Sequence, residues 1–197
     1  MNMAGRFRGF LPVIVDLETG GFDAEKNAIL QVAAVQVTFE EDQLVIADEW
    51  EKSVIPYMGS IIEPEALKVT GIVLSNENRE AESEHAVLSE MFSIVRKAIK
   101  REECHRAILV AHNAAFDQQF MLRAAERNNI KRNPFHPFSF IDTASLAAVA
   151  YGHTVLREAC LRAGIAFDQE KAHDALYDAS RTAELFCSIV NGWEQLS

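Results

Sequence analysis

The stretch FLPVIVDLETGGF, residues 10–22, decides how this chain folds. From Phe10 to Val15 it is apolar without a break, the pattern of a strand buried on both faces. It then reaches Asp16 and Glu18, two residues apart, so both carboxylates project from one face of an extended chain. Gly20 and Gly21 supply a turn. An acidic pair where a buried strand leaves the core is costly unless hydrogen-bonded or bound to a metal ion. Read alone, the pair equally fits a loop edge that caps the TGG turn.

Two further stretches carry the same chemistry. AHNAAFDQQF (111–120) puts Asp117 in the first turn of a helix, directly after the apolar run RAILVA (106–111). A carboxylate there also complements the helix dipole, worth about 0.3–1 kcal/mol. In KAHDALYDAS (171–180), Asp174 reads as the N-cap of the last helix. That leaves His173 in the preceding loop and Asp178 one turn in, where Leu176 and Ala179 turn it toward the sheet. In isolation His173 is better read as a loop histidine without a task. Together the five residues offer four hard oxygen donors and one imidazole. Such a set suits Mg²⁺ or Mn²⁺, and the absence of paired histidine or cysteine ligands argues against zinc. Two such ions about 3.5–4 Å apart can clamp the attacking and leaving oxygens of a phosphodiester. An imidazole with an ordinary pKa near ~6.5 suits the proton acceptor. Asp142, in FIDTAS, opens a helix from a strand end and is expected as its N-cap, with a role beside the site left open.

The remaining elements frame these residues. Residues 28–39 alternate like a second strand and 44–55 suggest a third, giving an antiparallel meander. EPEAL (63–67) starts a short helix with proline in its first turn. Residues 83–100 have helical periodicity between an acidic first turn and a basic last turn. A helix over about 114–128, a proline-interrupted loop at 133–138 (NPFHPF) and a short strand FSFID follow. Helices over 143–150, about 155–163 and 174–190 complete the chain. The pattern predicts one α/β domain over 1–197, a mixed five-stranded sheet with helices on both faces.

Composition narrows the class. With 49% hydrophobic and 24% charged residues, the chain reads as a soluble globular protein. Its longest apolar runs are too short to cross a bilayer, and MNMAGRFRGF lacks the apolar centre of a signal peptide, so no membrane partner and a cytoplasmic location are expected. Cys104, Cys160 and Cys187 show no metal spacing and are expected as buried, reduced thiols. The net charge of −10 is unusual for an enzyme of nucleic acids, but bound metal would offset part of it. The basic residues also cluster, at Arg6 and Arg8, at 96–106 and at 123–132. A local patch can hold phosphates on an acidic protein because charge beyond about 8–10 Å is screened; solvated helix faces are the plainer reading of any one of them. Phe22, Phe116, Phe138 and Phe140 flank the acidic motifs. Stacking on single-stranded bases is worth roughly 1–3 kcal/mol each, whereas core packing is the expectation for Phe140.

DLET (16–19), HNxxFD (112–117) and HxxxxD (173–178), in this order, resemble the three motifs of the DEDDh family of 3′→5′ exonucleases. The resemblance implies a ribonuclease-H-like fold and two Mg²⁺ per subunit, with Mn²⁺ as a substitute. It makes Asp16, Glu18, Asp117 and Asp178 the metal ligands and His173 the general base. Likeness to the RNA-trimming members runs nearly end to end, through RFRGFLPVIVDLETGGF, PEAL, AHNAAFD, KRNPFHPF and ALYDASRTAELF. Those members imply a homodimer that trims single-stranded 3′ ends of tRNA, rRNA and other small stable RNAs, acts on single-stranded DNA 3′ ends as well, and releases nucleoside 5′-monophosphates. One subunit's site then works beside the other's basic patch, here Arg6, Arg8, Lys100, Arg106, Lys131 and Arg132. Base contacts fall to Phe22, Glu65, Phe116 and Phe138. The chain departs at Val69, where the family places a second aromatic; the departure bears on 3′-terminal base selectivity and leaves the chemistry intact. Two rivals stand: a proofreading exonuclease subunit of a DNA polymerase, and a non-catalytic RNA-binding module. KRNPFHPF and the basic N-terminal segment favour the RNA enzyme over the first, and undecayed acidic motifs count against the second.

Overall fold

The central strand of the computed structural model, which describes residues 2–194, is the apolar run that opens the chain. Residue 1 and residues 195–197 of the expected 1–197 domain lie outside the described part. β1 (Phe10–Thr19) is preceded by a four-residue helix, α1 (Met3–Arg6), and followed by β2 (Ile29–Glu40) and β3 (Gln43–Ile55). Glu41 and Asp42, both with positive φ, make the tight turn between β2 and β3, the backbone that a two-residue hairpin loop requires. Next come α2 (Pro64–Thr70), β4 (Glu82–Ser83), α3 (Glu84–Arg101), β5 (Arg106–Ala111) and α4 (Ala115–Arg127). The chain ends with β6 (Phe135–Asp142), α5 (Thr143–Tyr151), α6 (Leu156–Arg162) and α7 (Ala175–Glu194).

The strands form one mixed sheet in the order β4-β3-β2-β1-β5-β6. β1, β2 and β3 are the antiparallel meander; β5 runs parallel to β1, and β6 parallel to β5. Leu11, Val13, Ile14, Val15 and Leu17 are all buried, so both faces of β1 are covered. α3 and α4 pack on each other and on the sheet, while α7 covers β1–β3 with α5 and α6 against it. A second, smaller apolar cluster, including Ala147, Ala159, Cys160, Leu185 and Ile189, ties α5, α6 and α7 together. No helix among the described residues is long and apolar enough to cross a membrane.

Three expectations need correction. The sheet has six strands, not five, because the two-residue β4 pairs with the end of β3. The NPFHPF segment is not a loop: β6 begins at Phe135 and runs through Pro137. β6 is an edge strand, where a missing N–H can face outward without breaking a ladder. The same edge position leaves Phe140 38% exposed rather than in the core. Cys160 and Cys187 are buried as expected, and Cys104 is half-buried; burial pushes all three thiols up, to about 11 for Cys104 and about 12 for the others.

Part of the basic content is structural. Arg127, at the end of α4, grips Glu84 in the first turn of α3, with its Nε 2.7 Å from Oε2, and the Glu84 side chain is 4% exposed. Asn128 donates to the same carboxylate at 2.6 Å, and the guanidinium lies over the Tyr57 ring. Removing one partner of a buried pair strands the other charge, which costs about 3–5 kcal/mol. Arg127→Met should lose about that much stability in urea unfolding, and adding Glu84→Gln should recover part of it. A single-variant loss below ~1 kcal/mol would show that the pair contributes little.

Candidate active site

Parallel pairing brings the ends of three strands to one edge of the sheet. Ile14 lies beside Val110, and Ala111 beside Asp142, so the parallel pairing ends at one level, where β5 and β6 stop and β1 runs on. In open α/β sheets such an edge is where ligands bind. Asp16 and Glu18 stand on β1 just past this level, and the β1–β2 register breaks between Glu18 and Thr19. Irregularities of this kind are frequent beside active sites, where they re-aim a side chain.

Asp117 arrives from β5 through the turn His112–Ala114. Asn113 there has a φ of 68°, in the left-handed region that asparagine tolerates. The N-cap position of α4 is Ala114, which has no side-chain acceptor to offer. Asp142 supplies one from the neighbouring strand: its Oδ1 accepts the N–H groups of Asn113 at 2.9 Å and Ala114 at 3.4 Å. The same carboxylate caps α5 through Ala144 and Ser145. Burial raises the Asp142 carboxyl, but the Ser145 hydroxyl and the Asn113, Ala144 and Ala114 N–H groups outweigh it and hold it below its usual range. The expected cap is therefore a double one, and its second half positions Asp117. Nothing in the FIDTAS motif alone indicates that second half.

At the start of α7, Asp174 accepts the Tyr177 N–H at 2.9 Å, as an N-cap does. His173 is exposed and also left-handed, with φ 67°. Its N–H donates to Asp178 Oδ2 at 2.9 Å, so the carboxylate that faces the sheet also holds the turn carrying the imidazole. The other oxygen, Asp178 Oδ1, is buried and has no hydrogen-bond partner. One ligand atom each from Glu18, His173 and Asp178 lies within 4.8 Å of the other two.

Electrostatics bind the remaining carboxylates to this group. Burial and the charges of Asp117, Glu18 and Asp178 push the Asp16 carboxyl well above its usual value. Glu18 is raised to about 8 by burial, then by Asp178 and Asp117. Burial also raises Asp117, against the opposing pull of its own N–H and that of Leu17. Asp178 is raised by burial, offset in part by the His173 N–H and ring. Among the described residues, no lysine or arginine forms an ion pair with any of the four. Four mutually repelling carboxylates, one with an orphaned buried oxygen, fit hard divalent cations.

The other predicted residues divide. Phe22 is 86% exposed and its ring meets that of Phe116 edge-on at 6.2 Å. Phe116 is half-buried and rests on Phe120. Phe138 is 79% exposed on β6, and Glu65 is exposed on α2. Val69, at the departure from the family pattern, is 58% exposed on that helix. The basic positions are not at this edge. Arg106 pairs in register with Phe10 at the opposite end of β1, and its Nε donates to Phe135 O at the start of β6. Arg6 and Arg8 precede β1, Lys100 lies in the last turn of α3 before β5, and Lys131 and Arg132 precede β6. Six strand residues, roughly 20 Å at ~3.3 Å each, separate Phe10 from Asp16.

A mixed sheet of this order with an acidic cluster at the ends of its parallel strands is that of a ribonuclease-H-like, divalent-metal-dependent nuclease. Comparison with known proteins sharpens this. The RNase_T exonuclease family matches residues 13–186. Ribonuclease T of Hahella chejuensis is 54% identical over 195 residues, 98% of this chain and 89% of that protein. Ribonuclease T of Salmonella typhimurium is 52% identical over 196 residues, 99% and 91% of the two chains. This chain therefore belongs to the Ribonuclease T family of exonucleases, and is a metal-dependent 3′→5′ exonuclease. Among solved structures, E. coli Exonuclease I in complex with a dT13 oligonucleotide has a TM-score of 0.71 at 17% identity, covering 95% of this chain and 42% of that one. A 3′-exonuclease that recognises the histone mRNA stem-loop has a TM-score of 0.72 at 16% identity, covering 92% and 63%. These two likenesses establish the fold.

The raised carboxyls set a pH dependence. The unfolded chain ionises Glu18 near its ordinary 4.5, whereas the folded, metal-free protein keeps the proton until about 8. A folded pKa above the unfolded one stabilises at low pH, and that contribution is lost as pH rises through this window. The melting temperature of chelator-treated protein should accordingly fall between those pH values, and Glu18→Gln should flatten the fall. Mg²⁺ or Mn²⁺ at neutral pH should raise the wild-type value with release of protons, measurable by calorimetry in two buffers of different ionisation enthalpy. Absence of any cation-dependent shift would remove the metal assignment.

Proposed function

We propose that this exonuclease trims single-stranded 3′ ends of tRNA, rRNA and other small stable RNAs, and also degrades single-stranded DNA ends, releasing nucleoside 5′-monophosphates. In this reading Asp16, Glu18, Asp117 and Asp178 hold two Mg²⁺ per subunit, with Mn²⁺ as a substitute, and His173 is the general base. The supporting observation is the approach of Glu18, His173 and Asp178 within 4.8 Å, with Asp16 and Asp117 near enough to raise the carboxyls, and no lysine or arginine ion-paired to the four carboxylates among the described residues. When bound, the cations supply Lewis acidity that makes water a stronger acid and offsets charge on the leaving oxygen. The rest falls to side chains. The His173 imidazole accepts the proton of the attacking water from its loop, while Asp178 fixes that loop through the His173 N–H. Exposed Phe22 and Phe138 stack on unpaired bases, which favours a frayed end over a duplex.

Relatives named Ribonuclease T at 50–54% identity over nearly the whole chain support RNA as the substrate. Homodimerisation is part of the proposal. The basic positions lie across the sheet from the carboxylates, so within one copy they are poorly placed to hold the strand that enters the site, and a second copy can present them. Light scattering under assay conditions should report about twice the 22.0 kDa chain mass; a single-chain mass would sink the shared-site arrangement.

Activity tests the rest. Asp16→Asn and Asp178→Asn should nearly abolish mononucleotide release while leaving RNA binding measurable. His173→Ala should slow turnover by roughly 10²–10⁴-fold, the usual scale for a general base. A tRNA with extra 3′ nucleotides should be shortened faster than a mismatched primer–template. The reverse preference would favour the proofreading reading, and near-normal rates in either aspartate variant would remove the ligand assignment.

A further inference from the structure

Two segments that carry proposed base contacts project from the core with little apolar burial of their own. Phe22 follows the Gly20–Gly21 turn and is 86% exposed. α2, which bears Glu65 and Val69, buries none of its residues. A seven-residue helix with no fully buried residue, and only Ala66 and Leu67 half-buried among its apolar side chains, takes much of its position from the residues that lead into it.

Those residues meet the Phe22 turn at one buried side chain, Asn27, which is 1% exposed. Its Oδ1 accepts the Asp23 N–H at 2.8 Å, just after Phe22. Its Nδ2 donates to Gly20 O at 3.3 Å and to Ile61 O at 3.0 Å, with Glu63 Oε1 a further acceptor at 3.4 Å. One amide thus bonds both flanks of Phe22 and both sides of Ile62, ahead of α2. Backbone bonds reinforce the junction: Glu63 N–H to Gly20 O at 2.7 Å and Ile61 N–H to Lys26 O at 2.8 Å. Gly21 has φ 153°, and a Cβ there would come within 2.6 Å of the Asn27 amide, so the turn is shaped around this side chain. Beyond the junction, Phe22 and Glu63 face Gln119 and Arg123 of α4 across an open groove of 740 Å³.

We infer that Asn27 is a positioning residue for substrate selection: it fixes the spacing between the Phe22 turn and α2, and so the width of the slot that admits unpaired 3′-terminal bases. The inference rests on the proposed base-contacting roles of Phe22 and Glu65. Asn27 touches no carboxylate of the metal cluster in its hydrogen bonds, so its loss acts on substrate fit rather than on the bond-breaking step.

The test compares two substrates. For a single-stranded oligonucleotide, Asn27→Ala should raise KM about tenfold or more with a smaller change in kcat, because small misplacements of positioning groups have effects of this size. For bis(p-nitrophenyl) phosphate, which has no base, the rate should change less than about twofold. Asn27→Ser, which shortens the side chain and cannot span both segments, should show the same split if the alanine variant proves too unstable to assay. Equal losses on both substrates, or none on either, would overturn the inference. Phe22→Ala separates it from the reading beneath: if that variant leaves oligonucleotide KM unchanged, the base-contact assignment itself fails. If Phe22→Ala raises KM and neither Asn27 variant does, only the role of Asn27 is lost.

Discussion

Like charges crowded into a buried pocket dominate this structure. An ionised carboxylate removed from water without a partner costs several kcal/mol even after relaxation, and here four stand together. The fold tolerates them because β1 is locked on both faces by apolar contacts and cannot yield to their repulsion. A less confined strand end would swing its acidic residues apart into solvent. The apolar run before Asp16 and the carboxylates after it are thus two halves of one device. Rigidity in the first keeps the second in a state that divalent cations relieve.

The other donors reach the same edge by borrowed hydrogen bonds. α4 begins at an alanine, and the oxygen that it lacks comes from Asp142 on the adjacent strand. His173 sits in the left-handed backbone region that few non-glycine residues adopt, and the bond from its N–H to Asp178 helps to keep it there. In both cases a carboxylate near the chemistry also holds backbone. The site and the elements that bear it are therefore not separable layers, and a substitution aimed at one disturbs the other.

Much of this was legible in the chain, and the gaps have physical causes. β1 and β5 announce themselves because a strand covered on both faces must be apolar throughout, and β2 by its alternation. The final helix shows a clean stripe because one side of it rests on the sheet. By contrast, β4 is two residues long and leaves no periodic trace. β6 contains a proline, which reads as a breaker unless the strand is known to lie at an edge, and sheet order is a long-range property. The acidic residues could be picked out by their spacing, whereas Asp142 and Asn27 could not be given their full roles. Each serves backbone groups on segments distant in sequence, a relationship that local composition does not encode.

α2 has no fully buried residue, and only Ala66 and Leu67 among its apolar side chains are half-buried. Its exposed positions, Glu65, Lys68 and Val69, can therefore change at small cost to folding, while the core and the acidic edge stay as they are. Val69, 58% exposed, is a position of this kind. Under the proposed base contacts, terminal-base preference can therefore be retuned on α2 without touching the carboxylates that cleave.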